Sequence, residues 1–200
     1  FAMKKIGIMQ PYFLPYIGYF QLMHLVDEFV LYDNIQFTKK GWINRNRMLQ
    51  NGRAEYFTLP LKKDSDYLDI VQRELSNEFT SEKVKTLRRI EANYKKASEF
   101  KDFYPIIESI FNNTNTNLFD FIFNSIQILN TYLDIKTPII ISSSLPDNIK
   151  SLKSQDKVLS ICSKLGADCY INSSGGIDLY DKIVFKEHNI DLKFYKTTNI

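Results

Sequence analysis

The hydrophobic pattern begins almost at once. Lys5-Ile6-Gly7-Ile8-Met9 is a short apolar run and reads as a strand. Gln10-Pro11-Tyr12-Phe13-Leu14-Pro15 follows. Two prolines so close forbid a regular helix or central strand, so a loop at the strand's carboxyl end is expected. Ile17 to Val26 has helical spacing with Phe20 and Met23 toward a core, and Glu28 to Asp33 reads as a second strand. Strand, loop, helix and strand make a βαβ unit with parallel strands. Residues 34–51 are polar and mixed, and read as a long functional loop.

Glu55 to Leu61 reads as a third strand, and Leu68 to Leu75 as an edge strand. Helical spacing then runs from Ser81, the expected N-cap, to Ala97. A second helix is expected from Tyr104-Pro105 to Phe111, with the proline in a tolerated first turn, and a third from Leu118 to Leu133. Strand patterns return at residues 137–141, 168–172 and 190–195, with helices at 155–165 and 179–187 between them. The order predicts a doubly wound, mostly parallel α/β sheet, one domain over residues 3–200 with a helical insert at about 78–135. Ligands of such sheets bind outside the carboxyl ends of the strands. Residues 10–16, 33–47, 142–144 and 172–176 are therefore expected to converge.

Composition narrows the function classes. Apolar residues are 44% and charged residues 24%, ordinary for a globular protein. A net charge of +3 argues against a nucleic-acid partner. The two cysteines, Cys162 and Cys169, and the two histidines, His24 and His188, form no metal-binding spacing, so no metal is expected. Two cysteines fit a reducing compartment, no secretory leader pattern is visible, and the apolar stretch 118–133 is broken by Asp120, Asn124, Gln127 and Asn130. A cytoplasmic location without a membrane span is expected.

The chemistry-bearing candidates sit in the polar segments. Asp33 closes a strand, where a carboxylate serves as a general base or binds a ribose or sugar hydroxyl. Tyr16 and Tyr19 offer hydroxyl donors, Gln10 and Tyr12 flank them, and Gly18 opens a helix whose start favours anions. Gln36, Lys39, Trp42, Asn44, Arg45 and Asn46 form the densest polar cluster; a guanidinium forks onto phosphate or carboxylate, and an indole stacks on a base or sugar face. Ser173, Ser174 and Gly175 make a strand-to-helix turn whose amides suit an anion, though the Lys-Ser/Thr ending of a Walker loop is absent.

Two resemblances add to this. Pro15-Tyr16-Ile17-Gly18-Tyr19 resembles the His-x-Gly-His signature of the nucleotidylyltransferase superfamily, with Tyr at both His positions. Adenylyl transfer loses its imidazolium groups there, since Tyr donates a hydrogen bond without positive charge. The runs Ile8 to Tyr12, Leu14 to Phe20, Asp33 to Phe37, Gly41 to Arg47, Leu165 to Ser173 and Asp178-Leu179-Tyr180 are similar to the WbqC-like family. That resemblance implies a role at bacterial surface-polysaccharide (O-antigen type) loci. It implies a transferase moving an acyl or aminoacyl group onto a nucleotide-activated amino sugar, with the nucleotide-linked sugar as its small-molecule substrate. The alternative is a non-catalytic nucleotide- or sugar-binding protein derived from a nucleotidylyltransferase-like fold.

Overall fold

A computed structural model describes residues 2–197, so residues 198–200 of the expected domain lie outside the described residues. The chain forms two compact units. Among the described residues the first contains 2–10, 16–34 and 134–197; the second contains 11–15 and 35–133.

The first unit is a parallel five-stranded sheet. Its strands are β1 (Lys5–Met9), β2 (Glu28–Leu31), β5 (Ile139–Ile141), β6 (Cys169–Ser173) and β7 (Asp191–Tyr195), in the order β5-β2-β1-β6-β7. The chain builds outward from β1 to β2 and β5 on one side, and from β6 to β7 on the other. The strand order therefore reverses between β1 and β6, the place where open parallel sheets hold ligands. The α/β class expected from the sequence is the one observed.

Alternation decides the faces. Ile6, Ile8 and Val30 join a buried cluster with Val158, Ile161 and Cys162 of α6 (Ser154–Lys164) and Phe185 of α7 (Lys182–Glu187). Gly7 and Phe29 point the other way, toward α1 (Ile17–Leu25), where the Tyr19 ring lies 5.3 Å from that of Phe29. A Cβ on Gly7 would stand 3.2 Å from the Phe29 ring, so glycine lets β1 sit close under that side chain.

The second unit joins a hairpin to three helices. β3 (Arg45–Gln50) and β4 (Arg53–Thr58) pair antiparallel, from Arg45 opposite Thr58 to Gln50 opposite Arg53. The connecting residues, Asn51 and Gly52, both have positive φ, the conformation of a two-residue hairpin turn. β3 lies inside what reads in sequence as a loop. Its composition is polar because only one face is covered: Met48 and Phe57 are buried, whereas Arg47, Leu49 and Tyr56 face solvent.

α2 (Phe79–Tyr94) starts ahead of Ser81, with Glu78 at its N-cap, and α3 (Phe100–Phe111) starts ahead of Pro105, which is interior. The expected edge strand at 68–75 is instead a single 3-10 turn, Ile70–Gln72, flanked by isolated bridges. α4 (Leu118–Tyr132) brings Phe121 to the centre of an aromatic core. Phe13, wholly buried, meets Phe111 at 5.4 Å, Phe121 at 5.6 Å and Phe57 at 6.2 Å. A short helix, α5 (Asp147–Lys150), occupies the expected polar loop after β5 in the first unit.

Candidate functional site

Because the sheet is parallel throughout, the segments after β1, β2, β5 and β6 leave from one edge. Two contacts bind that edge together. Tyr19 donates its hydroxyl to the backbone carbonyl of Gln10 at 2.9 Å. Asp33, just past β2, is tied to the 3-10 turn Ser142–Ser144 just past β5.

The Asp33 cluster is the most closed polar group of the first unit. Asp33 is wholly buried. Its Oδ1 accepts from the Ser142 hydroxyl at 2.8 Å and the Ser143 amide at 2.9 Å. The Asp33 amide in turn donates to Ser142 Oγ at 3.2 Å. The Asn34 side chain lies 2.6 Å from the same hydroxyl. Lys157 of α6, only 4% exposed, donates from Nζ to the Asn34 backbone carbonyl at 2.6 Å and lies 5.0 Å from the Tyr32 ring centroid. Asp33 Oδ2 and Asn34 Nδ2 are buried and have no hydrogen-bond partner among the described residues. Buried polar atoms are rarely left so, because each costs the lost hydration.

The remaining sequence candidates of this unit take varied positions. Tyr19 is a core residue, whereas Tyr16 is 48% exposed at the start of α1. A Cβ on Gly18 would stand 2.1 Å from the Thr197 hydroxyl oxygen, so the glycine is required by that packing whatever binds nearby. Ser173 donates its amide to Asn172 Oδ1 at 2.7 Å, and Ser174 and Gly175 open an exposed 3-10 turn, Ser174–Leu179. Gly176 approaches Asn172 so closely that a Cβ would meet its Nδ2 at 2.3 Å. A shallow groove of about 530 Å3 runs past Gln155, Asp178 and Lys182, none of them a sequence candidate.

In the second unit the dense polar cluster is turned largely onto its own backbone. Asn44 donates to the Leu59 carbonyl at 2.9 Å. Asn46 donates to the carbonyls of Phe13 and Leu14, and Leu14 has φ +48°. Arg45 donates to the carbonyls of Gly41, at 3.0 Å, and Lys40, whose φ is +63°. Both side chains thus tether residues held in the strained left-handed region. Gln36 donates to the Asp66 carbonyl at 2.8 Å, and Lys39 pairs with the Asp66 carboxylate at 2.6 Å. Tyr12 is half-buried.

Trp42 stacks on Tyr56 with centroids 6.1 Å apart; Arg45 lies 4.6 Å from the Tyr56 ring centroid and Arg47 lies 5.1 Å from that of Trp42. A cleft of about 390 Å3 beside this stack runs between β4 and the start of α2, past Tyr56, Glu78, Glu82 and Lys85.

Sequence reasoning missed Lys157 and Arg73, and reached Asn34 and Ser142 only as members of the convergent segments 33–47 and 142–144. Lys157 carried a signal: it precedes Ile161 by one helical turn, on the buried stripe of α6, where lysine is rare without a partner. Arg73 is 5% exposed and donates to the carbonyls of Ser65 and Lys62 at 3.0 and 3.2 Å.

Burial governs the titrating groups of the first unit. It pushes the Cys162 thiol up to about 12 and raises Cys169, and it raises Tyr170 well above the usual phenol value. Neither thiol is an activated nucleophile. Among the described residues no group of three or more His, Cys, Asp or Glu side chains is placed to hold a metal ion, and no helix is long and apolar enough to cross a membrane.

The WbqC-like protein family matches residues 10–200. This chain belongs to that family. It is similar to the uncharacterized protein Rv1507c of Mycobacterium tuberculosis, 27% identical over 194 residues, which span 96% of this chain and 82% of that protein. No solved structure matches it.

Proposed function

We propose that this WbqC-like protein is a group transferase of bacterial surface-polysaccharide biosynthesis that acts on a nucleotide-activated amino sugar. One observation carries the reading: polar segments after β1, β2, β5 and β6 leave a single carboxyl edge, with the strand order reversing between β1 and β6. In open parallel sheets that edge is where nucleotides and similar ligands lie. In this reading the amides of Ser174 and Gly175 and the start of α1 at Gly18 face the anionic part of the ligand, and Ser173, whose amide is held by Asn172, offers its hydroxyl. Gln10 orients it. Tyr16, exposed at the start of α1, is better placed to bond to the transferred group than Tyr19, whose ring is in the core. Asp33 is the acceptor for a proton or hydroxyl of the ligand. The sugar amine would attack an activated acyl carbon, forming a C–N bond as the bond to the leaving group breaks, and the departing group would carry away the amine's proton.

A second reading is a non-catalytic nucleotide- or sugar-binding protein. It draws support from the Tyr19 hydroxyl, held by the Gln10 carbonyl at a position where the resembling signature has histidine. A thermal-shift screen with UDP-sugars, dTDP-sugars, nucleoside triphosphates and acyl-CoAs separates the readings, because a specific ligand stabilises the folded state by mass action. Stabilisation by a nucleotide sugar together with an acyl-CoA, and a mass increase of the sugar on incubation with both, supports the transferase. Stabilisation by a nucleotide sugar with no turnover on any acyl or aminoacyl donor supports the binder. No shift with any nucleotide sugar sinks the transferase, and no shift with the nucleoside triphosphates as well sinks the nucleotide-binding form of the second reading.

A further inference from the structure

Ser142 lies between more acceptors than its hydroxyl has protons. Its hydroxyl carries one proton, yet it lies within hydrogen-bond distance of two acceptors, Asp33 Oδ1 and the oxygen assigned to Asn34. It also accepts the Asp33 amide. One proton cannot serve both acceptors. Turning the Asn34 amide about its last bond resolves the conflict, since oxygen and nitrogen of an amide are interchangeable by shape. The Asn34 nitrogen then donates to Ser142 Oγ, Ser142 donates to Asp33 Oδ1, and every atom of that triangle is satisfied. The Asn34 oxygen then takes the buried position at which the nitrogen found no acceptor among the described residues.

Asp33 Oδ2 and Asn34 Oδ1 are then two buried acceptors on neighbouring residues, braced by one hydroxyl. The same groups say what kind of donor fits. The Lys157 ammonium sits on the Asn34 backbone carbonyl, so positive charge is already present and disfavours a second cation, whether an ammonium or a metal ion. Asp33 Oδ1 is held by two donors, which fixes the carboxylate and leaves Oδ2 as its remaining acceptor.

Resting on the reading of the carboxyl edge as the ligand site, we propose that Asp33 and Asn34 receive the two hydroxyls of a vicinal diol, on the ribose or on the hexose ring of the ligand. This assigns Asp33 to substrate binding and removes it as the general base. An acid at the end of a sheet's second strand takes ribose hydroxyls in dinucleotide folds for the same physical reason. Both acceptors are closed off from water, so the hydroxyls reach them when their cover opens. Association is then slower than for a preformed cleft.

The test uses the full chain and four probes: UDP-glucose, 2′-deoxy-UDP-glucose, UMP and glucose. Affinities are read by calorimetry for the wild type, Asp33→Asn and Asn34→Ala, with the melting temperature of each ligand-free protein. If the diol is the ribose, the 2′-deoxy probe binds on the order of 10- to 100-fold more weakly than UDP-glucose, the worth of a hydrogen bond to a charged group. If it is the hexose, those two bind alike and UMP fails. In either case Asp33→Asn weakens the diol-bearing probe by a similar factor and leaves the ligand-free melting temperature within about 2 °C. Asn34→Ala, which keeps the carboxylate, weakens it by roughly tenfold.

Absence of wild-type binding by every probe overturns the proposal. So does a large fall in the melting temperature of Asp33→Asn with unchanged affinity; the carboxylate is then structural and meets only an ordered water. Tight UDP-glucose binding that ignores both substitutions overturns the diol site and leaves the nucleotide-sugar reading standing. Asp33-dependent binding of UMP or glucose that UDP-glucose does not better overturns the nucleotide-sugar reading and leaves the diol site standing.

Discussion

The two units treat polar side chains in opposite ways. In the second unit Asn44, Asn46, Arg45 and Arg73 aim their donors at backbone carbonyls of nearby loops, and those loops include residues of positive φ at Leu14 and Lys40. Their hydrogen bonds close the loops. In the first unit Asp33, Asn34 and Ser142 bond mainly to one another and still leave two buried atoms without partners. The lesson is that a dense run of polar residues is no measure of an available site. What marks a site is a polar atom held in place and left unanswered.

The largest expected effect tests whether the segment 11–15 is structural. Phe13 is wholly buried against three phenylalanines, so Phe13→Ala should cost about 3–5 kcal/mol. Trp42, the single tryptophan, lies in the second unit, and its fluorescence reports the loss. A cost below about 1 kcal/mol would return that segment to the list of ligand loops.

Alkali should act on the other unit. Cys162 has its folded value raised to about 12 by burial, so the unfolded chain loses its proton first. Stability is full below the ordinary thiol value near 9 and falls as pH rises from there toward 12, by about 4 kcal/mol over the whole window. Tyr170 adds in the same direction. In a titration above pH 9, reactivity of Cys162 and Cys169 toward a thiol reagent should therefore rise before Trp42 fluorescence changes. Simultaneous transitions would show that the two units do not differ in this respect.

How much of this was legible beforehand follows from which contacts are local. The parallel sheet was legible because each strand is a short apolar run followed by a polar turn. The hairpin was not, although Asn51-Gly52 announces one: of Arg45 to Gln50 only Met48 is buried, so the strand lacks an apolar run. The sheet-edge rule drew attention to Asp33 and to the serines after β5, but their bond spans 109 residues and is visible only in the fold. The task of Arg45 was equally hidden, because its partners are backbone carbonyls, which every residue carries.

Asn46→Ala is a milder probe of the same contrast. It removes donors from the Phe13 and Leu14 carbonyls and should cost about 1–2 kcal/mol, seen as an earlier urea midpoint by Trp42 fluorescence. An unchanged midpoint would mean that the left-handed turn at Leu14 holds without its tether.

The finest test compares two arginines on one strand. Arg45 and Arg47 both stack on aromatic rings, but only Arg45 also donates to loop carbonyls; Arg47 is exposed, and its guanidinium has no hydrogen bond or ion pair among the described residues. Stacking alone at an exposed site contributes roughly 0.5–1 kcal/mol. Hydrogen bonds from a charged donor add more. Arg45→Ala should therefore destabilise by about 1–2 kcal/mol and Arg47→Ala by about 0.5 kcal/mol or less. Circular dichroism is the better readout here, since both substitutions alter the surroundings of Trp42. Equal costs would mean that the carbonyl bonds of Arg45 add nothing. Its guanidinium would then be as available to an anion as that of Arg47, and the contrast between the two units would fail at the residue where it is sharpest.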